Sequence, residues 1–300
     1  MSPDFRYHIA SLAAVFLALG VGILVGTAFV GAPVVNRQTQ LIRHLEAGVS
    51  DLRRETAERQ QTEEALRILL PRVVGGTLMR KRVLVIQAGG YPDAAGEAAD
   101  ALRMAGATVE RVAFPGEAWR RPAEGETAPP SDESLIAEAR PLAALLVAAA
   151  NEPLAKYRDR GLLTGDPALL GAVHLIVLVG GGSGPTTTKK SATADAAPDE
   201  SVATLLARTR DLALIQAWQE QGITVVGVEP FGAEISFIRT YQSEGITTVD
   251  CIDRAAGKIA LPFALMGEKG NYGMKPTADR VLPASLDQVP PTPAPSTDTP

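Results

Sequence analysis

From Ile9 to Val30 the chain runs for 22 residues without a charged side chain, and the uncharged stretch continues to Asn36 before Arg37. About 20 apolar residues carry a helix across the hydrocarbon core of a bilayer at roughly 1.5 Å of rise per residue. A helix buried in a soluble core would keep a polar face, and none is present here. A cleaved signal peptide is the competing reading, but its apolar region is typically about 7–15 residues and ends in a small-x-small site. This run is longer, and Pro33 follows the best small-residue pair, Gly31-Ala32. The sequence therefore predicts a membrane anchor over residues 1–33, whose lipid-facing surface makes the bilayer itself a partner. Gly22-x-x-x-Gly26 lies on one helix face and suits close helix contact, although glycine is frequent in membrane helices generally.

The basic residues flanking the span do not give a clear orientation. The amino terminus and Arg6 lie before it, while Arg37, Arg43, Arg53 and Arg54 follow. Counted by the positive-inside rule, the balance leans only mildly toward a cytoplasmic main domain.

A polar, heptad-like stretch comes next and defines a helical stalk and linker over residues 34–80. Val35, Ile42, Val49, Thr56, Glu63 and Leu70 share one seven-residue spacing, and Gln38, Leu45, Leu52, Arg59 and Leu66 share its partner offset. Such a seam fits a coiled coil joining two copies of the chain, or one amphipathic helix docked on its own domain. Thr56, Arg59 and Glu63 interrupt the apolar seam in the middle. Pro71 and Gly75-Gly76 are expected to end the helix.

Subtracting these parts, and a Pro-rich tail of residues 284–300 expected to be disordered, leaves residues 81–283 for one α/β domain. Apolar runs at Arg82–Ala88, Thr108–Phe114, Val173–Val179, Ile223–Val228 and Ile246–Val249 read as strands, alternating with helices at Ala94–Ala105, Val202–Gln221 and Ala255–Met266. This alternation predicts a Rossmann-like, three-layer domain around a mainly parallel sheet. Ser134–Arg160 reads as helical, cut by Pro141 and Pro153. The segments Pro115–Ser134 and Pro185–Glu200 read as surface loops.

Several kinds of chemistry are excluded or disfavoured. With 29 Lys and Arg against 34 Asp and Glu, the net charge of -5 and the lack of a basic stripe argue against nucleic-acid binding. A single cysteine, Cys251, rules out an intrachain disulfide and a site made of several cysteines. Gly180-Gly-Gly-Ser-Gly184 resembles a phosphate-binding turn, but Pro185 follows and the lysine of a P-loop is missing; Gly89-Gly90 likewise lacks the third glycine of a dinucleotide fingerprint. Gly181–Gly184 also misses the Gly-x-Ser-x-Gly spacing of a hydrolase elbow. His174, the sole histidine of the main domain, reads as a buried or edge-strand residue. No catalytic set is visible, and a non-enzymatic protein without a resident cofactor is expected.

The one candidate metal position is Asp250-Cys251-Ile-Asp253, at the carboxyl edge of the fifth strand, where doubly wound sheets place their sites. Asp250, Cys251 and Asp253 offer two carboxylates and a thiol. Equally, Asp250 and Asp253 suit capping of the helix that starts near Ala255.

Two segments carry a family likeness. Asp4-Phe-Arg-Tyr-His-Ile-Ala-Ser-Leu, running on to Gly26, resembles the opening of the MctB family of bacterial copper transport proteins. Thr248-Val-Asp-Cys-Ile-Asp253 and Gly270-Asn-Tyr-Gly-Met-Lys-Pro-Thr-Ala-Asp-Arg-Val-Leu-Pro283 resemble its carboxyl-terminal signature. The likeness covers about residues 3–283. It implies a single-pass cell-membrane protein whose α/β domain is extracytoplasmic, against the charge count, with a role in copper efflux or homeostasis and copper ion as cargo. It also implies envelope or division functions as an alternative, with envelope protein partners. The family commonly has Asn where this chain has Cys251.

Overall fold

The computed structural model describes residues 3–26, 32–122, 129–166, 171–182 and 202–287. The chain forms two compact units, residues 1–62 and 63–300.

The first unit holds helix α1 (Pro3–Gly26) and the greater part of helix α2 (Ala32–Val74). From Phe5 to Gly26, α1 is apolar and long enough to cross a membrane, and none of that span is buried in the protein. Such a helix gains nothing by facing water, so its exposed Leu, Val and Phe side chains fit a membrane anchor. Along α2, Val49 and Leu52 are exposed. The polar stretch is held by helical-spacing pairs, including Arg54 with Glu58 at 3.0 Å and Arg59 with Glu55 at 2.6 Å, which support a helix without demanding a core.

The second unit is built around six parallel strands: β1 (Arg82–Gln87), β2 (Thr108–Ala113), β3 (Leu175–Val179), β4 (Thr224–Val228), β5 (Thr247–Val249) and β6 (Asn271–Tyr272). Their order is β2-β1-β3-β4-β5-β6. Register is fixed by pairs such as Val83 with Leu175 and Leu175 with Thr224. β1, β3 and β4 are apolar almost throughout because both of their faces are covered. On one face, Leu84, Ile86, Ile176 and Leu178 pack with α4 (Asp132–Ala148), α5 (Asn151–Asp159), α6 (Val202–Glu220) and α7 (Ile238–Ser243). On the other, Val83, Val85, Val177 and Val226 pack with α3 (Pro92–Met104) and α8 (Ala255–Leu265). The alternation expected from the apolar runs thus produces an α/β sheet covered by helices on both faces.

Several local expectations are corrected. Pro71 does not end α2, which continues to Val74 because Leu70 and Val74 are buried on the sheet's second face and Leu66 packs beside them. The end comes where Gly75 N–H donates to Pro71 O at 3.0 Å and Gly76 takes φ +83°, a conformation glycine adopts at little cost. The last apolar positions of the heptad seam are therefore occupied within the chain's own second unit. Pro141 lies inside α4, and the break before α5 falls at Ala149, with φ +50°. Pro153 sits in the first turn of α5, where its missing N–H costs no helical bond.

The segment after β2 is more than a loop: a 3₁₀ turn over Ala118–Arg120 buries Trp119, whose indole N–H donates to Leu162 O at 2.8 Å. His174 is neither buried nor on an edge strand; it is exposed, just before the internal strand β3. The structure also has two short elements with no period to announce them, α7 and β6. Residues 284–287 form a 3₁₀ turn, held by Ser285 N–H donating to Glu268 at 3.1 Å. The expected loop 185–200 and the rest of the Pro-rich tail lie outside the described residues.

Candidate functional site at the carboxyl edge of the sheet

Strand order reverses between β1 and β3, since β1 leads outward to β2 while β3 to β6 extend the other way. The chains leaving these two strands diverge to opposite faces and open a crevice at their carboxyl ends. The glycine turns predicted there meet each other. Ala88 and Gly89 N–H both donate to Val179 O at 2.9 Å, and Gly180 N–H donates to Val228 O at 2.9 Å. A Cβ on Gly89 would collide with the backbone of Gly180 and Gly181, and one on Gly180 with the Tyr241 ring. Close backbone and ring packing thus accounts for these two glycines. Ser183 and Gly184 are outside the described residues.

Beneath the crevice lies a buried polar chain that spans three elements. Arg210 and Asp211, adjacent on α6, are 1 % and 0 % exposed. Arg210 Nε and Nη2 donate to Asp211 Oδ1 at 3.0 and 2.7 Å, and Nη2 also donates to Ala88 O at 2.7 Å. Tyr241 Oη donates to Asp211 Oδ2 at 2.6 Å. The guanidinium carbon lies 5.0 Å from the Phe114 ring centre and 5.4 Å from that of Trp119, within cation–π range. Burial, then the adjacent Asp211 carboxylate, hold the Tyr241 hydroxyl well above its ordinary pKa. It therefore acts as a neutral donor. These residues fix the end of β1 to α6 and α7.

The loop after β5 is organised differently from the sequence expectation. Asp250 is buried and accepts from Met274 N–H at 2.8 Å and from Lys275 N–H at 3.1 Å, which fastens the turn after β6. Asp253 Oδ1 accepts from Phe231 N–H at 2.6 Å. Neither caps α8. That role falls to Glu63 of α2, whose Oε1 accepts from Ala255 N–H at 2.5 Å. The aspartates are drawn to the loops after β4 and β6, whose Phe231, Met274 and Lys275 N–H groups donate to them.

Cys251 is fully buried, and burial, followed by the charges of Asp250 and Asp253, pushes its thiol up to about 12. Asp250, Cys251 and Asp253 are near in sequence, but the two carboxylates serve different partners, Asp250 the turn after β6 and Asp253 the loop after β4. Among the described residues no three His, Cys, Asp or Glu side chains gather as a metal site.

Next to this loop, Glu229 at the end of β4 is fully buried. It accepts from Ser236 Oγ at 2.6 Å and Phe237 N–H at 2.9 Å, and it pairs with Lys275 Nζ. Lys275 Nζ also donates to Pro230 O at 3.1 Å. Sequence reasoning passed over Arg210, Asp211, Glu229, Tyr241 and Lys275. The available signal was the adjacent Arg210-Asp211 pair inside the otherwise apolar half of α6, together with Glu229 directly after an apolar strand.

Compared with known families, residues 3–283 match the model described as "Copper transport outer membrane protein, MctB". The chain belongs to the MctB family. The MctB match takes in α1, α2, all six strands and the turn that fastens Asp250, so the apolar helix, α2 and the sheet fall inside one family match. Neither the curated proteins nor the solved structures give a match to the chain.

Proposed function

We propose that this chain is a membrane-anchored envelope protein that takes part in copper transport and acts together with other chains. The observation that carries the reading is the MctB match over residues 3–283, a family described by copper transport. The apolar helix Phe5–Gly26 supports anchoring. One helical span cannot enclose a pore, because a conducting path needs several helices or a closed barrel around it. Passage of copper across a membrane therefore calls for several copies or for partner proteins. In this reading the chain is single-pass, its α/β domain is extracytoplasmic with a Rossmann-like, doubly wound topology, and it is non-catalytic, with no resident cofactor and copper as cargo. No nucleic acid takes part.

Self-association through a coiled coil of α2 belongs to the same proposal. Its support is the exposure of Val49 and Leu52 at heptad positions on a long helix, since apolar residues repeated on one stripe gain free energy by facing a second stripe. A second reading, a structural or assembly module of the envelope without copper as cargo, rests on that same exposed stripe.

Growth under copper challenge separates the two. A strain deleted for the gene is expected to lose copper tolerance, to regain it with the full chain, and not with a chain lacking residues 5–26. Unchanged tolerance on deletion would refute the copper reading and favour the assembly module.

A further inference from the structure

The crevice between the ends of β1 and β3 opens into a cleft of about 240 Å³. We infer that this cleft is a binding site for a small aromatic anion, a carboxylate or a phosphate ester. The inference goes beyond copper handling and does not depend on it.

Charge sets the sign of the ligand. Among the described residues, the lining includes two arginines, Arg120 and Arg210, and no carboxylate. Asp211 neutralises much of the field of Arg210, so this guanidinium serves mainly as a fixed directional donor. Among the described residues, the hydrogen bonds of Arg210 leave from Nε and Nη2. None of these bonds uses Nη1, and the residue forms part of the cleft wall. A ligand oxygen in the cleft would accept a charge-assisted hydrogen bond from this remaining donor. Arg120 supplies the net positive charge: its Nε donates to Gly116 O at 3.0 Å, and its terminal nitrogens make no hydrogen bond among the described residues.

The apolar part of the ligand follows from the remaining walls. Phe114, Trp119, Phe237 and Leu206 line the cleft, and rings of this kind hold a planar apolar group by stacking and dispersion. The volume lies below that usual for drug-sized ligands, roughly 300–1,000 Å³, which limits the occupant to a single ring with its anionic group. A nucleotide does not fit this chemistry, because the P-loop lysine and the dinucleotide glycines are absent.

Two positions allow the cleft to be closed without touching the buried network. A Cβ on Gly116 would meet nothing within 4 Å, and Ala203, near the start of α6, also lines the cleft. The test uses the full chain in detergent, phenyl phosphate and benzoate as separate probes, and benzyl alcohol as the neutral control. Binding is read by calorimetry and by the emission of Trp119, the tryptophan that lines the cleft.

The expected result is saturable one-to-one binding of at least one anionic probe. Arg120→Gln should weaken it about tenfold. Gly116→Leu and Ala203→Leu should abolish it while keeping the parent's cooperative thermal transition. Which probe binds more tightly distinguishes a phosphate from a carboxylate occupant. No saturable binding of either anion at about 5 mM, equal binding of benzyl alcohol, or unchanged affinity in both folded cleft-filling variants would overturn the inference.

Discussion

Glu63 on α2 accepts a hydrogen bond from the backbone N–H of Ala255, the first residue of α8, across 192 positions of sequence. In the heptad pattern Glu63 is a polar residue at an apolar position. Its carboxylate is used instead to satisfy one of the N–H groups that every helix leaves unpaired in its first turn, where negative charge is also favoured by the helix dipole. One interruption of the seam is therefore explained by a contact inside the second unit.

This contact predicts the effect of removing the carboxylate. Glu63→Ala should destabilise the second unit by about 1 kcal/mol, the usual cost of losing a helix cap. Glu63→Gln keeps an oxygen acceptor and should lose less. Chemical denaturation of the three proteins, compared by transition midpoint, checks both the size and the order.

The buried chain from Ala88 through Arg210 and Asp211 to Tyr241 gives a second expectation. Tyr241→Phe removes only the hydroxyl that donates to Asp211 Oδ2 and leaves a buried carboxylate oxygen unpaired, so it should cost about 1–3 kcal/mol. Asp211→Asn leaves Arg210 without its counter-charge and should cost more, about 3–5 kcal/mol. Equilibrium unfolding measures both, and the ranking of the two losses is the decisive feature.

Cys251 supplies a pH dependence. Its thiol stays neutral in the folded protein up to about 12, against an ordinary value of 9.0. Between these values the unfolded chain releases a proton that the folded chain retains, so stability falls as pH rises from about 9 toward 12. Cys251→Ala should flatten that part of the profile, measured by unfolding midpoints across the alkaline range. In the same sense, a thiol-specific reagent at pH 8 should leave Cys251 unmodified until denaturant is added.

The proposed pairing of α2 can be mapped by position. Leu52→Cys, at an exposed heptad site, should form an intermolecular disulfide on mild oxidation, whereas Leu70→Cys should not, because Leu70 is buried against the sheet. Non-reducing electrophoresis separates monomer from dimer. Monomer alone from Leu52→Cys would remove the coiled coil from the account.

Regular features of this chain were legible because burial imprints period and composition on sequence. The apolar run that becomes α1, and β1, β3 and β4 with both faces covered, could be read directly. Short elements were not: α7 has six residues and β6 two, too few for any period. Polar pairings were also hidden, because a partner's identity depends on the topology that brings it near. Asp250 and Asp253 sit where caps belong in sequence, yet the N–H groups of Met274 and Phe231 claim them, and Glu63 arrives from another element to cap α8. Pro71 misled for a related reason, since burial of Leu70 and Val74 outweighs the hydrogen bond that the proline removes.

The central claim, that this MctB-family chain moves or handles copper from the membrane, is tested most directly by cell-associated copper. Metal content after a copper challenge would be measured by mass spectrometry in parent cells, deleted cells and deleted cells carrying the full chain. The account predicts raised copper on deletion and return to the parent level with the full chain; identical copper in all three would contradict it.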